Sequence, residues 1–123
     1  MIGGVTGLIG ALLSQKTPEA LALARACGDR LLNVQLDSGG WSMGGVGSSL
    51  RRPPLTGFSH GAAGMAAALA RLAQATADER YAEAARRAIA YERSVFVAET
   101  GNWPDFRSSA EPNEFMLRWC HGA

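Results

Sequence analysis

One nine-residue pattern occurs twice in this chain. Gly4-Val5-Thr6-Gly7-Leu8-Ile9-Gly10-Ala11-Leu12 and Gly61-Ala62-Ala63-Gly64-Met65-Ala66-Ala67-Ala68-Leu69 both read G-x-x-G-[LM]-x-x-A-L, at an offset of 57. Each copy opens a small-residue helical stretch, and each is followed by a more charged one. Helices this rich in Ala and Gly pack closely against one another. Two such pairs in tandem predict helical hairpins stacked side by side, as in a solenoid or a closed ring. In a ring the small-residue helices form the inner layer. A shorter echo follows, because His60-Gly61-Ala62 returns as His121-Gly122-Ala123 at an offset of 61.

The expected elements follow from caps and apolar spacing. A first helix runs from Gly4 to about Ser14. Thr17 is a candidate N-cap with Pro18 at the first helical position, opening a helix to about Asn33. Its apolar stripe is Leu21, Ala24, Gly28 and Leu31. A Gly/Ser-rich connection follows, with Trp41 as its anchor, and Arg51-Arg52-Pro53-Pro54 excludes helix there. The third helix is expected from near Ser59 to about Ala75. The fourth runs from Asp78, its cap, to about Phe96, with Tyr81, Ala84, Ala85, Ala88 and Ile89 inward. Residues 101–106 form a long loop, and a further helix is expected to open at Cys120. The reading is all-α: one domain over 1–123, with hairpins at about 4–33 and 59–96 and the start of a third at 120.

Composition narrows the function classes. With 12 Lys and Arg against 11 Asp and Glu, the net charge of +1 supplies no field for nucleic acid or anionic lipid. No run of about 18 apolar residues occurs, so no membrane span is expected. Two distant cysteines, Cys27 and Cys120, do not make a disulfide framework, which points to a reduced, cytoplasmic setting. There is no phosphate loop, nucleophile elbow or dinucleotide fingerprint. The ends at Met1 and at Trp119-Cys120-His121-Gly122-Ala123 suggest a fragment of a longer polypeptide.

Chemistry concentrates at the starts of the inner helices. Related by the repeat, these N-termini would gather at one end, with His60 and Cys120-His121 at equivalent corners facing a common cavity. The positive end of a helix favours a thiolate, and such a corner suits a metal ligand or a general acid/base. Each residue also has a plainer reading. His60 would terminate a helix and bond a carbonyl; Cys120 would be a buried thiol; Cys27, whose counterpart at offset 57 is Ala84, would be core. Trp103-Pro104-Asp105 reads as a rigid turn, with Asp105 capping or pairing locally.

Together, Pro54-Leu55-Thr56-Gly57-Phe58-Ser59-His60-Gly61-Ala62-Ala63-Gly64, Tyr91-Glu92-Arg93, Gly101-Asn102-Trp103-Pro104-Asp105 and Trp119-Cys120-His121-Gly122-Ala123 resemble the cyclase domain of LanM-type (class II) lanthionine synthetases, within the lanthionine synthetase C-like family. The resemblance covers essentially the whole chain. It implies an α/α toroid of seven helical hairpins in two concentric layers, of which this chain holds about two.

The resemblance also implies a reaction. A cysteine of a precursor peptide adds to a dehydroalanine or dehydrobutyrine, closing a thioether ring of a lanthipeptide. Zinc lowers the pKa of the incoming thiol, and an acid protonates the enolate. His60 matches the family's acid/base and Cys120 its first zinc cysteine. His121 belongs to the same motif and is expected near the metal, without ligating it. The ligating histidine of the family lies in a later Cys-His pair, which would fall beyond Ala123, and a family aspartate would fall at or before Met1. The expected partners are therefore the precursor peptide and the remainder of the synthetase. No other cofactor is implied. Two alternatives stand beside this reading: a non-catalytic peptide-binding remnant of the same fold, and another α/α-toroid enzyme acting on carbohydrate. The paired carboxylates usual in the latter are not offered by the inner-helix starts.

Overall fold

The computed structural model describes residues 2–42, 52–107, 115, 117–118 and 121–122. Among them are helices α1 (Ile2–Gln15), α2 (Pro18–Asn33), α3 (Ala62–Thr76) and α4 (Glu79–Ser94), followed by strands β1 (Leu117–Arg118) and β2 (His121–Gly122). The chain is all-α in its architecture. α1 packs on α2 and α3 on α4; α1 also meets α3, and α2 meets α4. Two hairpins thus stand side by side in two layers, α1 and α3 in one and α2 and α4 in the other, as in part of an α/α toroid.

Both hairpins close in the same way. A left-handed residue, Lys16 (φ 54°) or Ala77 (φ 53°), ends the first helix. The next residue caps the second: the Thr17 hydroxyl accepts from the Ala20 amide, and the Asp78 carboxylate from the Arg80 amide. Both caps fall where the sequence puts them, and each satisfies an amide that the first helical turn leaves without a partner. The outer helices are joined by Tyr81, whose hydroxyl donates to Asp29 Oδ1 at 2.9 Å. A Cβ at Gly28 would lie 2.3 Å from a Leu72 methyl and 2.8 Å from the Tyr81 ring, so a larger residue there requires those side chains to shift.

The core runs between the layers through Ile9, Leu31, Leu69, Leu72 and Tyr81, with Ala24, Ala66 and Ala88 between them. Cys27 packs half-buried against it, as its alanine counterpart predicts. Trp41 is buried, and its indole N–H donates to the Leu31 carbonyl at 2.9 Å. It anchors the connection after α2, where Gln35 and Trp41 form an isolated antiparallel bridge. Trp41→Phe removes that donor and some packing. It is expected to lower stability by about 1–3 kcal/mol, read from the urea midpoint.

Three expectations are corrected. α3 begins at Ala62 and not near Ser59, because residues 57–60 form a turn in which Gly57 has φ +94°. Ile89 is 45% exposed: the buried stripe of α4 continues through Tyr91 and Glu92 and leaves position 89 to one side. No helix opens at the last motif among the described residues. There His121–Gly122 pairs antiparallel with Leu117–Arg118, so this backbone is extended and not helical. Among the described residues no helix is long and apolar enough to cross a membrane.

Candidate functional site

The turn bearing His60 is built by three separate stretches of sequence. It enters through Pro54, whose carbonyl accepts the Tyr91 hydroxyl at 2.5 Å. Next, the Leu55 carbonyl accepts from the Ala62 amide at 2.9 Å. Glu92, 8% exposed on the inward side of α4, reaches across to α3. Its Oε1 accepts two backbone amides, Gly57 N at 3.1 Å and Ala63 N at 2.8 Å. Gly61, the N-cap of α3, makes no side-chain cap of its own. Glu92 therefore caps α3 from another helix, and its charge sits at the positive end of the helix. The carbonyl of Glu92 accepts the Trp103 indole N–H at 2.7 Å, and Trp103 packs against Phe96 with ring centroids 4.7 Å apart.

Burial pushes the Glu92 carboxyl above the ordinary glutamate range, and the two amide bonds oppose part of that shift. The sign for stability follows. A carboxyl with a raised folded-state pKa binds its proton more tightly in the fold. Its contribution is present below the unfolded value near 4.5 and declines as pH rises through the raised value. Glu92→Gln keeps an acceptor oxygen and removes the titration. The stability of the wild type minus that of E92Q is expected to fall as pH increases across this window; urea melts across the acid range check it, and a rise would contradict it.

The turn also walls a cavity. Phe58 and Ser59 line a space of about 210 Å³ with Thr6, Gly7 and Gly10 of α1 and Gly64, Ala67 and Arg71 of α3. The repeat is visible in its walls, since Gly7 and Gly64 are equivalent, as are Gly10 and Ala67. His60, next to Ser59, is exposed at this end of α3. Asp105 is held locally, as expected: its Oδ1 accepts Arg107 Nε at 2.9 Å. Pro104, following Trp103, bridges to Phe115.

Cys120 lies outside the described residues, so its placement relative to His60 is not part of this site. Of His121 the structure describes the backbone, in β2 opposite Arg118. Among the described residues no group of three His, Cys, Asp or Glu could hold a metal ion, and these residues alone do not fit a zinc site.

Of the stretches quoted for the resemblance, three thus meet in space: 54–64, Tyr91-Glu92 and Trp103 form one end of the two hairpins. A family model, lanthionine synthetase C-like protein, matches residues 1–123. The chain belongs to the lanthionine synthetase C-like family. No curated protein and no solved structure matches the chain. Within this member of the family, Glu92 is the residue that the sequence analysis quotes only as part of a motif, without a role of its own. Its signal was available: it lies four residues after Ala88 on the apolar stripe of α4, where a carboxylate must find partners.

Proposed function

We propose that this chain is part of a zinc-dependent, thioether-forming cyclase of class II (LanM-type) lanthipeptide biosynthesis. It acts on a dehydrated precursor peptide in the cytoplasm, together with the remainder of its synthetase. The observation that supports this is the convergence of the His60 turn, Tyr91-Glu92 and Trp103 beside a cavity lined by both small-residue helices, in a chain of this family.

In this reading the peptide's thiolate attacks the β-carbon of dehydroalanine or dehydrobutyrine. The S–C bond forms, and the alkene π pair moves to the α-carbon as an enolate. The His60 imidazolium delivers a proton to the α-carbon, and the proton lost by the thiol restores the acid, so the addition is balanced. Cys120 is proposed as one thiolate ligand of the zinc, with His121 beside it. The other ligands would come from outside the described residues.

The test uses a dehydrated peptide with one cysteine, the chain and the remainder of its synthetase. Ring closure makes the cysteine resistant to alkylation while the peptide mass stays constant. Peptide that is bound but remains fully alkylatable would overturn the cyclase reading in favour of a non-catalytic peptide-binding remnant.

A further inference from the structure

The His60 turn is held locally by the bonds from Ala62 N to Leu55 O and from Gly64 N to Gly57 O, and from another helix by Glu92. Four residues, 57–60, pass from a left-handed glycine to the N-cap of α3, and that cap contributes no side-chain bond. Two amides bracket His60, Gly57 N three positions before it and Ala63 N three positions after. Both are taken by a single oxygen, Glu92 Oε1. This oxygen is anchored in turn. Glu92 is buried near the end of α4, its carbonyl holds the Trp103 indole, and the preceding Tyr91 holds Pro54 at the entry to the turn. A three-centre bond of this kind fixes the chord of the turn, and with it the direction in which residue 60 leaves the backbone.

We propose that Glu92 is a positioning residue for His60: by accepting Gly57 N and Ala63 N together, it sets the direction in which the imidazole leaves the turn whose Phe58 and Ser59 line the inner-helix cavity. The proposal rests on the reading of His60 as the proton donor. Its structural part stands on the two hydrogen bonds alone, which makes the two separately testable. What Glu92 supplies is an acceptor oxygen at one point. Gln can supply that oxygen, Asp is one methylene too short to reach both amides, and Ala supplies nothing.

The experiment reads the His60 ring by carbon–proton NMR in the full chain, assigned with H60N, together with amide exchange at Gly57 and Ala63. In Glu92→Ala the ring signals are expected to shift toward those of an unfolded peptide of residues 57–63, and both amides to exchange about tenfold faster or more. Core signals of Leu69 and Leu72 stay in place. Glu92→Gln keeps the ring signals of the wild type, and Glu92→Asp falls between; E92D is the variant to read where E92A does not fold. An unmoved His60 ring in E92A or E92D overturns the proposal, as does E92Q behaving like E92A. Wild-type Gly57 and Ala63 amides that exchange as fast as exposed loop amides overturn it without any variant. In the cyclisation assay E92A is expected to lower kcat about 10²-fold at constant KM, with E92Q restoring it. If the ring signals respond as expected and no thioether forms, the clamp stands and the cyclase reading falls.

Discussion

Gly64→Ala is expected to cost the fold about 3–5 kcal/mol, while Gly7→Ala, at the same place in the first repeat copy, is expected to stabilise it by about 0.5–1 kcal/mol. A Cβ at position 64 would lie 1.8 Å from the Phe58 carbonyl oxygen, which is backbone and cannot rotate away. To admit a methyl group the 57–60 turn must lift off α3. That movement breaks the bonds from Gly64 N to Gly57 O, from Ala62 N to Leu55 O and from Ala63 N to Glu92, each worth about 1 kcal/mol, and opens the packing beneath. Gly61→Ala meets the same obstacle, since its Cβ would lie 2.1 Å from the Thr56 carbonyl carbon. At Gly7 nothing lies within 4 Å of the added carbon, and only the helix propensity of alanine remains. Urea melts of the two variants give the comparison. A Gly64→Ala variant within 1 kcal/mol of the wild type would mean that the turn does not sit on α3 as described.

This contrast marks where sequence reasoning stops. Identical glycines at an offset of 57 announced a repeat of helices, and the repeat is real: Ala24 and Tyr81, Gly28 and Ala85, Leu31 and Ala88 are equivalent and buried. Local signals sufficed for such features. The caps at Thr17 and Asp78 depend on the residue and its own first turn, and Trp41 is a large side chain with little choice but to bury itself. Which glycine touches backbone is not local. It depends on a turn that a carboxylate 35 positions further along the chain pulls into place. For the same reason α3 starts three residues later than its sequence suggests. Nothing in Ser59-His60-Gly61 by itself forbids helix; the bond from Ala62 N to Leu55 O and the positive φ of Gly57 do. Periodicity alone allows an apolar residue inward at Ile89, whereas the buried stripe is completed by an acid, Glu92.

The second large effect is on rate. His60→Asn keeps a polar side chain of smaller volume at the turn and removes the group that delivers a proton. In the proposed reaction the enolate then has no positioned acid and returns to thiolate and alkene more often than it is protonated. Thioether formation is expected to fall about 10²–10⁴-fold. The affinity for the dehydrated peptide is expected to stay unchanged, because His60 acts on the charge that develops after attack. The fold is expected to persist, since the bonds that hold the turn run through backbone atoms on either side of residue 60.

The deciding measurement is therefore the single-turnover rate of ring closure by wild-type and H60N chains, each with the remainder of the synthetase and a dehydrated one-cysteine peptide at saturating concentration. A loss of at least about a hundredfold in H60N, with peptide binding intact, is what the account requires. Ring closure by H60N within threefold of the wild type would contradict it.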